Sequence, residues 1–186
     1  MLNFFGVDLE TKYRHLCETP SDINDALPVL RQFASKVKHV TEFGIRTAVS
    51  TTALLAAQPD RLISYDVDLN RQFLDDLMRV KGRTNFTYHQ GDTRLIDIEP
   101  TQLLFVDTQH TNRQMECELR RHSNKVSDYV IFHDTGISGY RFKDEGENDD
   151  PIKGIWPAIE SWSIRDGFEL CYELPERWGL SVFKRR

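Results

Sequence analysis

The chain has 186 residues, with 24 Lys and Arg against 29 Asp and Glu, and a formal net charge of −5. That length suits one sizeable core rather than two domains, and the acidic balance speaks against a non-specific nucleic-acid binder despite the basic end Lys184-Arg185-Arg186. Cys17, Cys117 and Cys171 are scattered without C-x-x-C spacing, no run nears the ~18 apolar residues of a membrane span, and Met1 to Phe5 lacks a basic leader, so a cytoplasmic chain with reduced thiols is expected.

Residues 1–20 are mixed in character and are expected to wrap loosely. Thr19-Pro20-Ser21-Asp22 signals a helix start with Ser21 as N-cap, and Ile23, Leu27, Leu30, Ala34 and Val37 recur at helical spacing. Pro28 inside that pattern predicts two short helices or a kink. Residues 1–38 thus read as a helical cap, a lid over one sheet edge.

His39 to Phe43 reads as a strand carrying Glu42 at its tip, followed by Gly44, a small hydroxyl-rich segment and a helix over about 48–57. A strand, a close turn and a helix N-terminus offer unpaired N–H groups to a carboxylate or phosphate. Pro59-Asp60 ends the helix, and Arg61 to Asp66 is a second strand with Asp68 close behind. Asn70 to Val80 is amphipathic through Phe73, Leu74, Leu77 and Met78 and stops before Gly82. Asn85 to His89 is a third strand, followed by Gly91-Asp92.

Gln102 to Val106 is a continuous apolar strand ending in Asp107. Thr111 to Gln114 forms a capping box opening a helix lined by Met115, Leu119 and Val126. Tyr129 to Phe132 is a buried-type strand running into His133-Asp134. Residues 135–153, rich in Gly and charge, read as a mobile loop over the cleft or as a solvated linker. Gly154 to Ser163 is a helix, and Phe168 to Leu174 and Leu180 to Lys184 are close enough to pair only antiparallel. The fold class is therefore α/β: a single Rossmann-like domain with a seven-stranded, mostly parallel sheet, a C-terminal antiparallel hairpin, and helices on both faces. Glu42, Asp66, Asp107 and Asp134 each stand at the C-terminal end of a strand, where open parallel sheets bind ligands.

The hairpin and this acid pattern resemble class I S-adenosylmethionine-dependent methyltransferases. A narrower similarity is to the cephalosporin-hydroxylase-like and metal-dependent O-methyltransferases, and to a group found also in viral genomes. That group carries an S-D-I…L-P helix, an E-x-G-(I/V)-R-x-x-V-S-T loop, D-T-x-H, F-H-D-T and K-G-I-W-P-A-I-E. The matching residues are Ser21 to Ile23, Glu42 to Thr51, Asp107 to His110, Phe132 to Thr135 and Lys153 to Glu160, so the resemblance runs from about residue 12 to the end.

The resemblance implies a cofactor-holding set of Glu42, Gly44, Arg46, Thr47, Ser50, Thr51, Asp66, Gly91, Asp92 and Asp107. The turn after Glu42 would carry the methionine part, Asp66 the two ribose hydroxyls, Asp92 the adenine amine, and Asp107 would lie beneath the sulfonium. Arg46 and Ala48 depart from the usual pattern, which has second and third glycines there; Arg46 is read either as packing or as reaching for the methionine carboxylate or an anionic substrate. Metal-dependent relatives hold a divalent ion such as Mg or Mn at the places occupied here by Asp107, His133 and Asp134. Against that stands packing of His133 under the loop with Asp134 capping the turn.

His110, three residues past Asp107, has a pKa range suited to a general base near neutral pH, or else caps the following helix. The expected activity is methyl transfer to a hydroxyl of a small molecule or saccharide, with metal assistance in view. The alternative is a non-catalytic S-adenosylmethionine or nucleoside-binding protein of the same fold. No nucleic-acid or membrane partner is expected, and homo-oligomerisation is left open.

Overall fold

The computed structural model describes residues 7–68, 71–137, 139–143 and 152–186. Its centre is a sheet of seven strands: β1 (His39–Phe43), β2 (Arg61–Asp66), β3 (Asn85–Gln90), β4 (Thr101–Val106), β5 (Val126–His133), β6 (Phe168–Leu174) and β7 (Leu180–Arg185). Their spatial order is β3-β2-β1-β4-β5-β7-β6. The first five run parallel, and β7 enters antiparallel beside β5 and pairs with β6. Chain order reverses between β1 and β4, and the ends of those two strands lie side by side at the switch point where open α/β sheets hold ligands.

Helices cover both faces because the central strands are apolar on both. Along β4, Leu103 and Phe105 join one core while Leu104 and Val106 join the other, the two-residue alternation of a strand. One face is covered by α1 (Leu9–Glu18), α2 (Leu27–Ala34), α3 (Val49–Ala56) and α4 (Arg71–Val80), whose buried residues share the first core. The other is covered by α5 (Asn112–His122) and α6 (Trp156–Asp166), with Trp162 fully buried among Phe132, Phe168 and Phe183. Gly167, at φ 73°, ends α6 in the left-handed conformation that glycine adopts without steric cost.

Several local expectations change. Residues 9–18 are not loose: Asp8 caps α1 by accepting from the Thr11 amide at 3.0 Å, and Leu9 and Tyr13 are buried. The N-terminal helices pack on α3 and on the sheet, where Phe33 meets Tyr129 of β5 edge-on at 5.2 Å and Tyr172 of the edge strand β6 at 6.1 Å. The two short helical elements expected around Pro28 do form, a 3-10 turn over Asn24–Ala26 and then α2, with Pro28 in the first turn of α2, where its missing N–H costs nothing. Val126 begins β5 instead of continuing α5.

Only half of the capping box forms. Thr111 accepts from the Gln114 amide at 3.2 Å, but the Gln114 side chain turns inward to other partners. Of the segment 135–153, residues 138 and 144–151 lie outside the described residues. The stretch before them is packed: Gly136 and Ile137 donate to the carbonyls of Trp178 and Pro175 at 2.6 and 3.0 Å.

Candidate active site

The β1–α3 turn is shaped by three residues with positive φ: Gly44 at 88°, Arg46 at 46° and Ala48 at 61°. Gly44 is obligatory, since a β-carbon there would collide with the carbonyl of Asp107 at the end of the adjacent strand. Arg46 and Ala48 hold the other two left-handed positions without being glycine, a strain of roughly 1–3 kcal/mol each. Neighbouring contacts hold the loop. Asp66 Oδ2 accepts from the amides of Ile45 and Arg46 at 2.7 and 2.9 Å, and the Arg46 guanidinium grips Asp22 at 2.6 and 2.9 Å.

Glu42, expected to hold the cofactor, is turned into the fold. It shares its strand face with Val40, the face covered by α3, and is 0% exposed. Its carboxylate accepts from Ser50 at 2.6 Å, Thr51 at 2.8 Å and Ser64 at 2.6 Å, stitching β1 to α3 and β2. Burial pushes its pKa up to about 7 against the pull of those three hydroxyls, with the charge of Asp107 adding to the rise.

A cavity of about 900 Å³ opens above the strand ends and is lined by Gly44, Arg46, Asp66, Gly91, Asp92 and Asp107, together with Asp68 and the wall formed by Thr93, Thr108 and Gln114. Thr47 and Ser50 line instead a narrower cleft of about 110 Å³ that Asp107 and His110 share, and Thr51 lines neither. Asp66 also takes the Asp68 amide on Oδ1 at 3.0 Å, so it retains room for one hydroxyl rather than a full bidentate grip on a diol. Asp92 is occupied by Arg94, which donates from its amide, Nε and Nη2 at 2.8–3.2 Å.

Between the cavity and the cleft lies an acid–imidazole cluster. His110 Nε2 is 2.7 Å from Asp134 Oδ2 and 3.7 Å from Asp107 Oδ1. His133 Nδ1 faces the same two acids from the buried side, at 3.2 Å from Asp134 and 3.4 Å from Asp107. Burial opposes charge on His133, yet the two carboxylates outweigh it and raise its pKa to about 10. Burial likewise opposes ionisation of Asp107, but the His133 charge and both imidazole contacts hold that carboxyl well below its ordinary range. Asp134 is lowered in the same way, against burial, by its contacts with His110 and His133. It sits at φ 60°, a conformation unusual for a non-glycine residue and concentrated at functional sites. Tyr140 stacks on His110 at 4.1 Å and 5°, and its amide donates to the Asp134 carbonyl at 2.8 Å.

Among the described residues, the atoms grouped so as to hold an ion are those of Asp107, His110 and Asp134, within 4.8 Å of one another. His110 thus takes the place in the ligand group that sequence reasoning gave to His133. Tyr140, Arg94, Gln114 and Glu118 went unread in the sequence as parts of the site. The Asp92-x-Arg94 spacing and the i, i+4 pair Gln114–Glu118 were the available signals.

No protein-family model matches the chain, and no curated protein matches it in sequence. Solved structures do match in fold. A Staphylococcus aureus protein provisionally assigned as a caffeoyl-CoA O-methyltransferase superposes with a TM-score of 0.72 at 12% identity, covering 98% of this chain and 94% of that one. The O-methyltransferase from Bacillus cereus in complex with SAH gives 0.65 at 12% identity, covering 96% and 90%. The N-methyltransferase NodS from Bradyrhizobium japonicum WM9 in complex with S-adenosyl-L-homocysteine (SAH) gives 0.64 at 14%, covering 94% and 98%. The chain has the Rossmann-like methyltransferase fold. Identities this low carry the fold alone.

Proposed function

We propose that this chain is an S-adenosylmethionine-dependent methyltransferase acting on a hydroxyl of a small molecule or saccharide, close to the metal-dependent and viral-type O-methyltransferases its motifs resemble. The observation carrying this reading is the charge of the cluster beside the cavity. Asp107 and Asp134 are ionised and His133 is protonated at neutral pH, which leaves one net negative charge before His110 is counted. A sulfonium next to Asp107 would balance it.

The residues fit such a cofactor. The cavity volume lies within the range of small-molecule sites, Asp66 and Asp68 line it as acceptors available to a ribose, and the strained turn borders the same space. Bound S-adenosylmethionine supplies an electrophilic methyl group. The chain's own task is to position the acceptor and move its proton. With Nε2 against the Asp134 carboxylate at 2.7 Å, a neutral His110 keeps its proton there and Nδ1 is the basic nitrogen. The imidazolium formed on taking a proton is favoured by the two adjacent carboxylates, while stacking on Tyr140 fixes the ring. The narrowness of the cleft at His110 favours a small or terminal hydroxyl.

A divalent ion fits the same donors. Asp107, His110 and Asp134 would hold it, and two carboxylates with one imidazole suit Mn, Fe or Zn as well as Mg; the ion would orient and acidify the hydroxyl. The uses of His110 as base and as ligand exclude each other. Mn²⁺ that raises the melting temperature of the wild type but not of Asp107→Asn would select the ligand role.

Titration calorimetry with S-adenosylmethionine and SAH, followed by assay for SAH with a panel of hydroxyl acceptors, tests the reading. Heat with both and turnover with an acceptor support it, and no heat with either refutes it. Binding without turnover would select the non-catalytic alternative, for which the non-glycine turn at Arg46 and Ala48 is the motive.

A further inference from the structure

Beside Gly91–Arg94 the cavity wall conceals a closed hydrogen-bond network centred on Glu118 of α5, which is 1% exposed. Glu118 Oε1 accepts from the Thr93 hydroxyl and from Gln114 Nε2 at 2.7 Å, and Oε2 accepts from the Thr108 hydroxyl at 2.9 Å. Gln114 Nε2 also donates to Thr93 Oγ1 at 3.2 Å. Thr93, Thr108 and Gln114 line the cavity, and Glu118 stands behind them.

The network uses one amide orientation. Burial pushes the Glu118 pKa up to about 7 against the pull of its three donors, and the nitrogen end of Gln114 faces it, sharing its donation between Glu118 Oε1 and Thr93 Oγ1. The oxygen end is thereby turned from the network, on a side chain that lines the cavity. Asp92, beside it, has its oxygens taken up by Arg94. A fixed acceptor in a largely buried wall calls for a ligand donor, because leaving either partner unmatched costs a desolvated polar group.

We propose that Gln114 selects the exocyclic amine of an adenine-type base and that Glu118 is the positioning residue that fixes its orientation. This rests on the nucleoside reading above and moves the recognition of the amine from Asp92 to Gln114. A base with a carbonyl in place of the amine sets two acceptors against each other and is disfavoured.

The test compares affinities for SAH and for S-inosylhomocysteine, which carries that carbonyl. The wild type is expected to prefer SAH by about tenfold or more. Gln114→Met, which leaves Glu118 its two threonine partners, should cut the preference to about threefold or less, chiefly by weakening SAH. Glu118→Gln gives the network a second amide that can donate to the Gln114 oxygen and turn it inward, so the preference should contract there too. A purely structural Glu118 would lower stability and leave the ratio unchanged, which would overturn its part. Equal affinities in the wild type, a measurement that needs no variant to fold, would overturn the proposal, as would a full preference surviving in Gln114→Met. A wild type that binds neither compound refutes the nucleoside reading along with it, whereas one that binds both equally refutes base selection alone.

Discussion

Replacing Glu42 with glutamine is expected to stabilise the protein at pH 8 and to change little at pH 5. Glu42 is wholly buried among three hydroxyls, and its carboxyl titrates near 7 in the fold against an ordinary 4.5. Between those values the native state holds a proton that the unfolded chain has released. Stability from this group is therefore fully present below about pH 4.5, falls as pH rises, and is gone above about 7. About two and a half pH units at ~1.4 kcal/mol each amount to roughly 3 kcal/mol, an order of magnitude for a group this deeply buried. Glutamine matches the shape, carries no charge, and finds in Ser50, Thr51 and Ser64 hydroxyls that can accept as well as donate. Urea unfolding of both proteins at pH 5, 6, 7 and 8 measures the effect, and the curves should diverge as pH rises. Equal differences at pH 5 and pH 8 would refute the reasoning. So would a glutamine variant less stable than wild type at pH 8, because the charge would then be supported by its surroundings rather than opposed by burial.

Gly44→Ala should cost more than about 3 kcal/mol, seen as a lowered urea midpoint, because a side chain there strikes the Asp107 backbone and φ is positive. Ala48→Gly should be neutral or stabilising by up to about 1 kcal/mol in the same assay, relief of the left-handed strain offsetting glycine's usual entropic penalty. His133→Gln should cost about 3–5 kcal/mol near pH 7, since Asp107 and Asp134 lose their shared cation. In the wild type the His133 contribution is present below its ordinary 6.5 and lost as pH rises towards 10, and that alkaline decline should be absent from the glutamine variant's unfolding curves.

Much of this molecule was decided locally. All seven strands follow from short apolar runs between turn signals, and the terminal hairpin from a connection too short for anything but antiparallel pairing. The clustering of Asp66, Asp107 and Asp134 at one rim follows from strand ends in a parallel sheet. Glu42 has the same position in its strand but the opposite fate, because the period of two puts it under α3 with Val40, where Ser50, Thr51 and Ser64 await it. The resemblance offered Asp92 as the acceptor for a base, and in the structure Arg94 donates to it.

His110 and His133 divide in the same way. Both lie within three residues of an acid in sequence, but only the register of β4 against β5 and the fold of residues 135–140 bring His110 to the ligand-facing side and leave His133 behind the acids. The sequence by itself determined which segments become strands and helices and which rim gathers the acids, since both depend on patterns a few residues long. Which acid is free to meet a ligand, which imidazole shares it, and which amide points into the cavity were decided only by tertiary structure. Those outcomes turn largely on partners distant in the chain, such as Ser64 for Glu42, Thr93 for Glu118 and His133 for Asp107, whose directions no local pattern encodes.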